Sequence, residues 1–194
     1  MNRVSKPRIV YSLIALLLCL IAANCNRIIE QRKHYYYDRG MKLFNNRDYI
    51  NAAEEFGKAL QIDEGYIDAL YMQGMSNYSR GEYFAAIGPF KKALAERQGD
   101  INLKLKLAEC FINAMGQGKG VQQRTYFADV ISPLAEKNRD ARILLLRFYL
   151  VLKKLIEAEK IIEGFLRDGE KASDFYAVLV QFKVKRIKCL KPRI

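Results

Sequence analysis

Histidine is almost missing from this chain: His34 is the only one in 194 residues. It stands with no cysteine or second histidine at metal-ligand spacing, so the sequence points to no metal centre and no cofactor site. No Gly-x-Ser-x-Gly turn is present, and neither Cys25 nor Cys110 has a histidine base, so nucleophilic catalysis has no motif. The paired acids Glu54-Glu55 and Glu157/Glu159 fall in charged helical context and read as solvated faces. An enzyme is the least supported class. Cysteine is scarce at four residues, and once Cys19 is placed in an apolar run too few remain for a disulfide framework. Cys110 falls on an apolar helix face, as a small buried residue would. Proline is also limited to four, which suits helix.

Acidic residues are absent from the last stretch. Residues 183–194 hold Lys183, Lys185, Arg186, Lys188, Lys191 and Arg193 and no acid. Arg3, Lys6 and Arg8 add three cations at the start. These nine account for most of the net charge of +12, leaving 24 basic residues against 21 acidic ones in the body. A basic tail suits anionic lipid or nucleic acid, which is the alternative function here. It has no nucleic-acid motif and no evenly spaced aromatics, so it reads first as a solvated helix end, and no nucleic-acid partner is expected.

What the chain does have begins at its start. A basic segment precedes an apolar run from Ile9 to Ala23, which closes on Ala22-Ala23-Asn24 before Cys25. This is the layout of a secretory signal peptide over residues 1–24. At about 1.5 Å per helical residue the run spans roughly 22 Å, short of the ~30 Å hydrocarbon core. An apolar run ending in small residues and a cysteine resembles a bacterial lipoprotein signal. That resemblance implies lipidation of Cys25, a short tether over 25–33, and a membrane-anchored protein facing the periplasm. Ala22 and Asn24 depart from the Leu and small residue usual at those positions. An uncleaved anchor and ordinary secretion are the other two readings.

Two stretches further on repeat at a 34-residue period. Gly40-Met41 matches Gly74-Met75, and Asp48-Tyr49 matches Glu82-Tyr83. Ala52, Phe56, Lys58, Ala59 and Leu60 match Ala86, Phe90, Lys92, Ala93 and Leu94. This period is that of a helix-turn-helix solenoid. Gly40 and Gly74 let the paired helix approach, and Ala52 and Ala86 do so from the facing side. Phe56 and Phe90 fill the space toward the next unit. Asp48 and Glu82 stand where the second helices begin.

These units resemble tetratricopeptide repeats. The expected fold is all-α, a right-handed solenoid over 34–190 with units near 33–66, 67–100, 101–138 and 139–172, and a partial or capping helix over 173–190. The third unit begins with Leu107, Ala108 and Phe111. Gly116, Gly118 and Gly120 then enlarge its turn, and the second helix resumes near Gln123 and runs through Ala128, Val130 and Leu134. That glycine stretch lacks the spacing and the Ser or Thr of a phosphate loop. In the fourth unit Leu146 replaces the glycine, so that pair must pack wider.

In this family the first helices line a concave groove. The matching positions are Tyr37, Met41 and Phe44, then Tyr71, Met75 and Tyr78, then Leu105 and Glu109 with Ile112, then Arg147 with Ile143 and Leu150. His34 leads into the same face. Aromatic and Met side chains suit a protein or peptide partner with apolar anchors. Of the family's carboxylate-clamp positions only Lys106 matches, which speaks against that mode. The function expected is a membrane-tethered scaffold for protein–protein interaction in the bacterial envelope.

Overall fold

The computed structural model describes residues 6–118, 124–169, 178–180 and 182–184. Among them the secondary structure is helical, with no strand. The chain divides into two compact units between Ser76 and Asn77.

The first unit is built on α1 (Lys6–Asn45), α2 (Tyr49–Ile62) and most of α3 (Ile67–Ser79). α1 runs unbroken through residues 25–33, the stretch read as a short tether. No glycine or proline lies between Pro7 and Gly40, so nothing in the sequence stops the helix. Among the described residues, no helix is long and apolar enough to cross a membrane. Asp48 caps α2, its carboxylate accepting from the Asn51 amide at 3.3 Å.

The α1–α2 pair is drawn together at Gly40. A Cβ there would stand 2.7 Å from Cε1 of Phe56, closer than such atoms approach. Phe56 is fully buried and lies on Gly40 of its own pair, a contact the repeat pattern did not bring out. Glu55 differs from expectation too: it is buried, not solvated, with Lys58 Nζ 2.7 Å from Oε1 and Arg39 Nε 3.7 Å from Oε2. It sits one residue from Phe56 on the side of α2 that meets α1, while Glu54 stays exposed.

A second clasp fixes α1 against the α2–α3 turn. Lys33 is only 8% exposed, and its ammonium donates to Asp63 at 2.9 Å and to Glu30 at 3.0 Å. It also lies 4.9 Å from the centre of the Tyr66 ring. The hydrogen bonds to Glu30 and Asp63 raise the Lys33 pKa, against a smaller opposing effect of burial. The bond from Lys33 holds Asp63 below the usual carboxylate range.

The second unit takes in the end of α3 and then α4 (Tyr83–Glu96), α5 (Ile101–Gly116), α6 (Arg124–Tyr126), a π-helical segment (Phe127–Ile131), α7 (Ser132–Ala135), α8 (Arg139–Val151) and α9 (Leu155–Arg167). α4 carries Pro89 inside it, which cannot donate to the carbonyl of Ala85. The side-chain amide of Asn77 donates to that carbonyl instead, at 3.5 Å. In the third repeat the inward residues are Phe127, Ile131 and Ala135, while Ala128 is exposed and Val130 and Leu134 are half-buried. Inward spacing of four fits the wider π winding. Phe127 stacks on Phe148 of α8 with centroids 3.9 Å apart. Leu146 is fully buried in the last pair, in a cluster with Leu150, Ala158, Ile162 and Phe165 that Val178 and Phe182 close. The rest of the expected capping segment, and all of the basic tail beyond Val184, lie outside the described residues.

Three second helices begin alike. The residue two places before the helix has positive φ in each: Arg47 at 62°, Gly81 at 76° and Lys153 at 58°. That conformation is natural for Gly81 and disfavours a side chain by about 1–2 kcal/mol.

Three substitutions test this packing. Gly40→Ala should destabilise the protein by about 1–3 kcal/mol, because the buried Phe56 ring has nowhere to go. Gly88→Ala on α4, where a Cβ meets nothing within 4 Å, should stabilise it by roughly 0.5–1 kcal/mol. Denaturant midpoints of the two variants check both signs. Lys33→Met should destabilise by about 1–3 kcal/mol at neutral pH. Since the folded pKa of Asp63 is depressed, its contribution is complete above about pH 4 and is lost as pH falls through the lowered value. The raised Lys33 contributes fully below about pH 10 and loses that share as pH rises through its folded value. Lys33→Met should therefore flatten the acid arm of a stability–pH curve below about pH 4.

Candidate functional site

Each first helix presents one stripe of side chains, because positions four and three apart share a helix face. In the first unit the stripe is Tyr37, Met41 and Phe44 on α1 and Tyr71 and Met75 on α3, all half-buried. Tyr37 is held by rings: its centroid is 5.6 Å from Phe56 and 5.2 Å from Tyr66. Phe44 packs edge-on against Tyr49 across the turn, at 5.1 Å. His34 is exposed, with Nδ1 3.3 Å from the Tyr66 hydroxyl.

The second unit holds Tyr78, Leu105, Glu109 and Arg147, also half-buried, whereas Ile112, Ile143 and Leu150 are buried. Tyr78 repeats the turn staple of Phe44 one period on, meeting Tyr83 edge-on at 5.5 Å. Phe44 and Tyr78 are therefore committed in part to holding their turns. Met41 and Met75 keep the more adaptable surface.

Two side chains outside the expected set complete a polar cluster here. Lys106 lies over the Tyr78 ring at 4.1 Å and 3.4 Å from Glu109. Arg147 stands 3.8 Å from Glu109 and donates to Asn113 Oδ1 at 3.2 Å. Lys106, Glu109 and Asn113 fall three and four residues apart on α5, a spacing visible in the sequence once charge is followed as closely as apolarity. Burial, with the hydrogen bond to Glu109, pushes the Tyr78 phenol well above its ordinary range. The neighbouring Cys110 is buried, and loss of solvent pushes its thiol up to about 12. It stays a neutral thiol near pH 7. The cluster can hydrogen-bond and pair charges but carries no activated nucleophile. Among the described residues no group of three His, Cys, Asp or Glu could hold a metal ion.

No family model matches this chain. Serine/threonine-protein phosphatase 5 of Rattus norvegicus and that of Mus musculus are each 26% identical to it over 76 residues. The match takes in 39% of this chain and 15% of each phosphatase. Those phosphatases carry tetratricopeptide repeats. The likeness is weak and partial. With the all-helical fold, it suggests a protein-interaction role.

The Tyr78 environment gives a spectroscopic test. In an absorbance titration of tyrosine ionisation, Tyr78 and the half-buried Tyr126 should ionise last. Glu109→Gln should bring Tyr78 down toward the ordinary range while leaving Tyr126 where it is.

Proposed function

We propose that the chain is a membrane-tethered helical-repeat scaffold that binds a protein partner through its first-helix faces. The observation that carries this reading is the half-buried row of aromatic and Met side chains on α1 and α3, repeated at the 34-residue period. Such side chains present contact area without a fixed hydrogen-bond code, which suits apolar anchors of a peptide or a folded partner. The weak likeness to a repeat-containing phosphatase supports the interaction role. We further propose that the role is not enzymatic, since the sequence has a single histidine and no nucleophile motif.

The tether is proposed from the sequence alone. The apolar run closing at Cys25 supports lipidation there and a place in the bacterial cell envelope, facing the periplasm. Several acyl chains would hold the protein at a membrane far better than one.

Two experiments test these parts separately. Capture of partners from detergent-solubilised envelopes should fall about tenfold or more for Met41→Glu with Met75→Glu, while the melting temperature stays within a few degrees. Equal capture by the variant would remove the groove from the proposal. Radiolabelled palmitate should enter the wild type and not Cys25→Ser, and globomycin should block processing. An unlabelled, unprocessed protein would end the lipoprotein reading.

A further inference from the structure

Exposed apolar side chains recur at one place in the repeats. Among the described residues from Gly40 to Gly169, the exposed large hydrophobics are Ile50 (56%), Phe84 (53%), Ile101 (44%), Ile156 (72%) and Leu166 (58%). Three of these five, Ile50, Phe84 and Ile156, occupy one register, the second residue of α2, α4 and α9. Each follows a turn that displays a cation: Arg47 before Ile50, Arg80 before Phe84, and Lys153 with Lys154 before Ile156.

Two of those cations are kept at a conformational disadvantage. Arg47 and Lys153 hold the positive-φ position that Gly81 fills in the intervening repeat. A glycine would suit the turn better, so the turn itself does not explain a long basic side chain there. Within the second unit these turns share an edge. The side chain of Gln117 donates to the carbonyl of Gly81 at 3.2 Å, joining the second turn to the start of the third. Asn113 and Arg147 meet near the C-terminal ends of α5 and α8, which brings the turn after α8 to the same side.

We infer that this turn edge of the second unit, carrying Arg80, Phe84, Lys153, Lys154 and Ile156, lies against an anionic bilayer surface. The inference rests on the membrane attachment proposed above. An apolar tip flanked by cations suits the headgroup boundary: the apolar group enters the acyl region and the cations meet lipid phosphates. Glu82 and Glu157 temper the charge, and Lys154 is already 3.3 Å from Glu157. Contact is accordingly shallow, and a tether would strengthen it by holding the edge close to the membrane. The Arg47–Ile50 turn repeats the same pairing in the first unit.

The chain has no tryptophan, so one introduced tryptophan reports alone. The full chain carrying Phe84→Trp or Ile156→Trp is mixed with phosphatidylcholine vesicles, with or without phosphatidylglycerol, some with brominated acyl chains. Ile101→Trp is the control, since α4 carries the chain roughly 20 Å away from Phe84 before Ile101 is reached. With phosphatidylglycerol the first two probes should shift to the blue and be quenched by bromine, while the control stays in water. High salt should reverse the effect. Lys153→Gly should reduce quenching at position 156 by roughly half or more and raise the melting temperature. If the chain floats with vesicles but positions 84 and 156 are quenched no more than 101, the inference is overturned and the tether stands. If it floats only with anionic vesicles, with 84 and 156 quenched, the tether fails and the edge stands. If it floats with neither, both fail.

Discussion

A phenyl ring resting on a backbone without a side chain fixes the separation of α1 and α2. Phe56 occupies the volume that any Cβ at Gly40 would claim. The rest of the first unit depends on that distance. It brings Tyr37 into ring contact with Phe56 and puts Glu55 out of solvent between Lys58 and Arg39. The Lys33–Asp63 bond then ties α1 to the turn beyond α2, so the two ends of α2 answer to the same long helix. Packing and polar pairing here are one arrangement: the close approach buries the charges, and the paired charges make that burial tolerable.

Much of this could be read from residues alone. The 34-residue echo located the helix pairs because small residues recur where backbones approach, and Asp48 announced the start of α2 by its capping chemistry. Other features escaped. The direction of Phe56 depends on a rotamer choice that periodicity does not encode. Glu55 was read by its chemistry and Lys33 drew no reading, and their burial is decided by partners sixteen residues back and thirty residues on, at Arg39 and Asp63. The inward face of residues 127–135 was missed because a 3.6-residue template cannot describe a π-wound segment.

The candidate surface was legible in part. Its residues were found by register, and the structure leaves all nine half-buried. Register could not separate those that staple turns, Phe44 and Tyr78, from those that leave adaptable surface, Met41 and Met75. It noted Lys106 only as a lone clamp position and passed over Asn113, because neither falls on the groove register that picked out Glu109 and Arg147. The polar cluster on α5 and α8 makes the second unit chemically unlike the aromatic face of the first. A partner reading both would need apolar and charged groups in separate segments.

The π-wound segment carries a meaning for how such a chain tolerates change. An enlarged turn delivers the following helix at an arbitrary rotation about its own axis. Winding Phe127–Ile131 more loosely turns the later side chains back, so that Phe127 still stacks on Phe148 and Ile131 and Ala135 still face inward. The segment behaves as a phase corrector: a few loosely wound residues reset which side chains of the following helix meet the core.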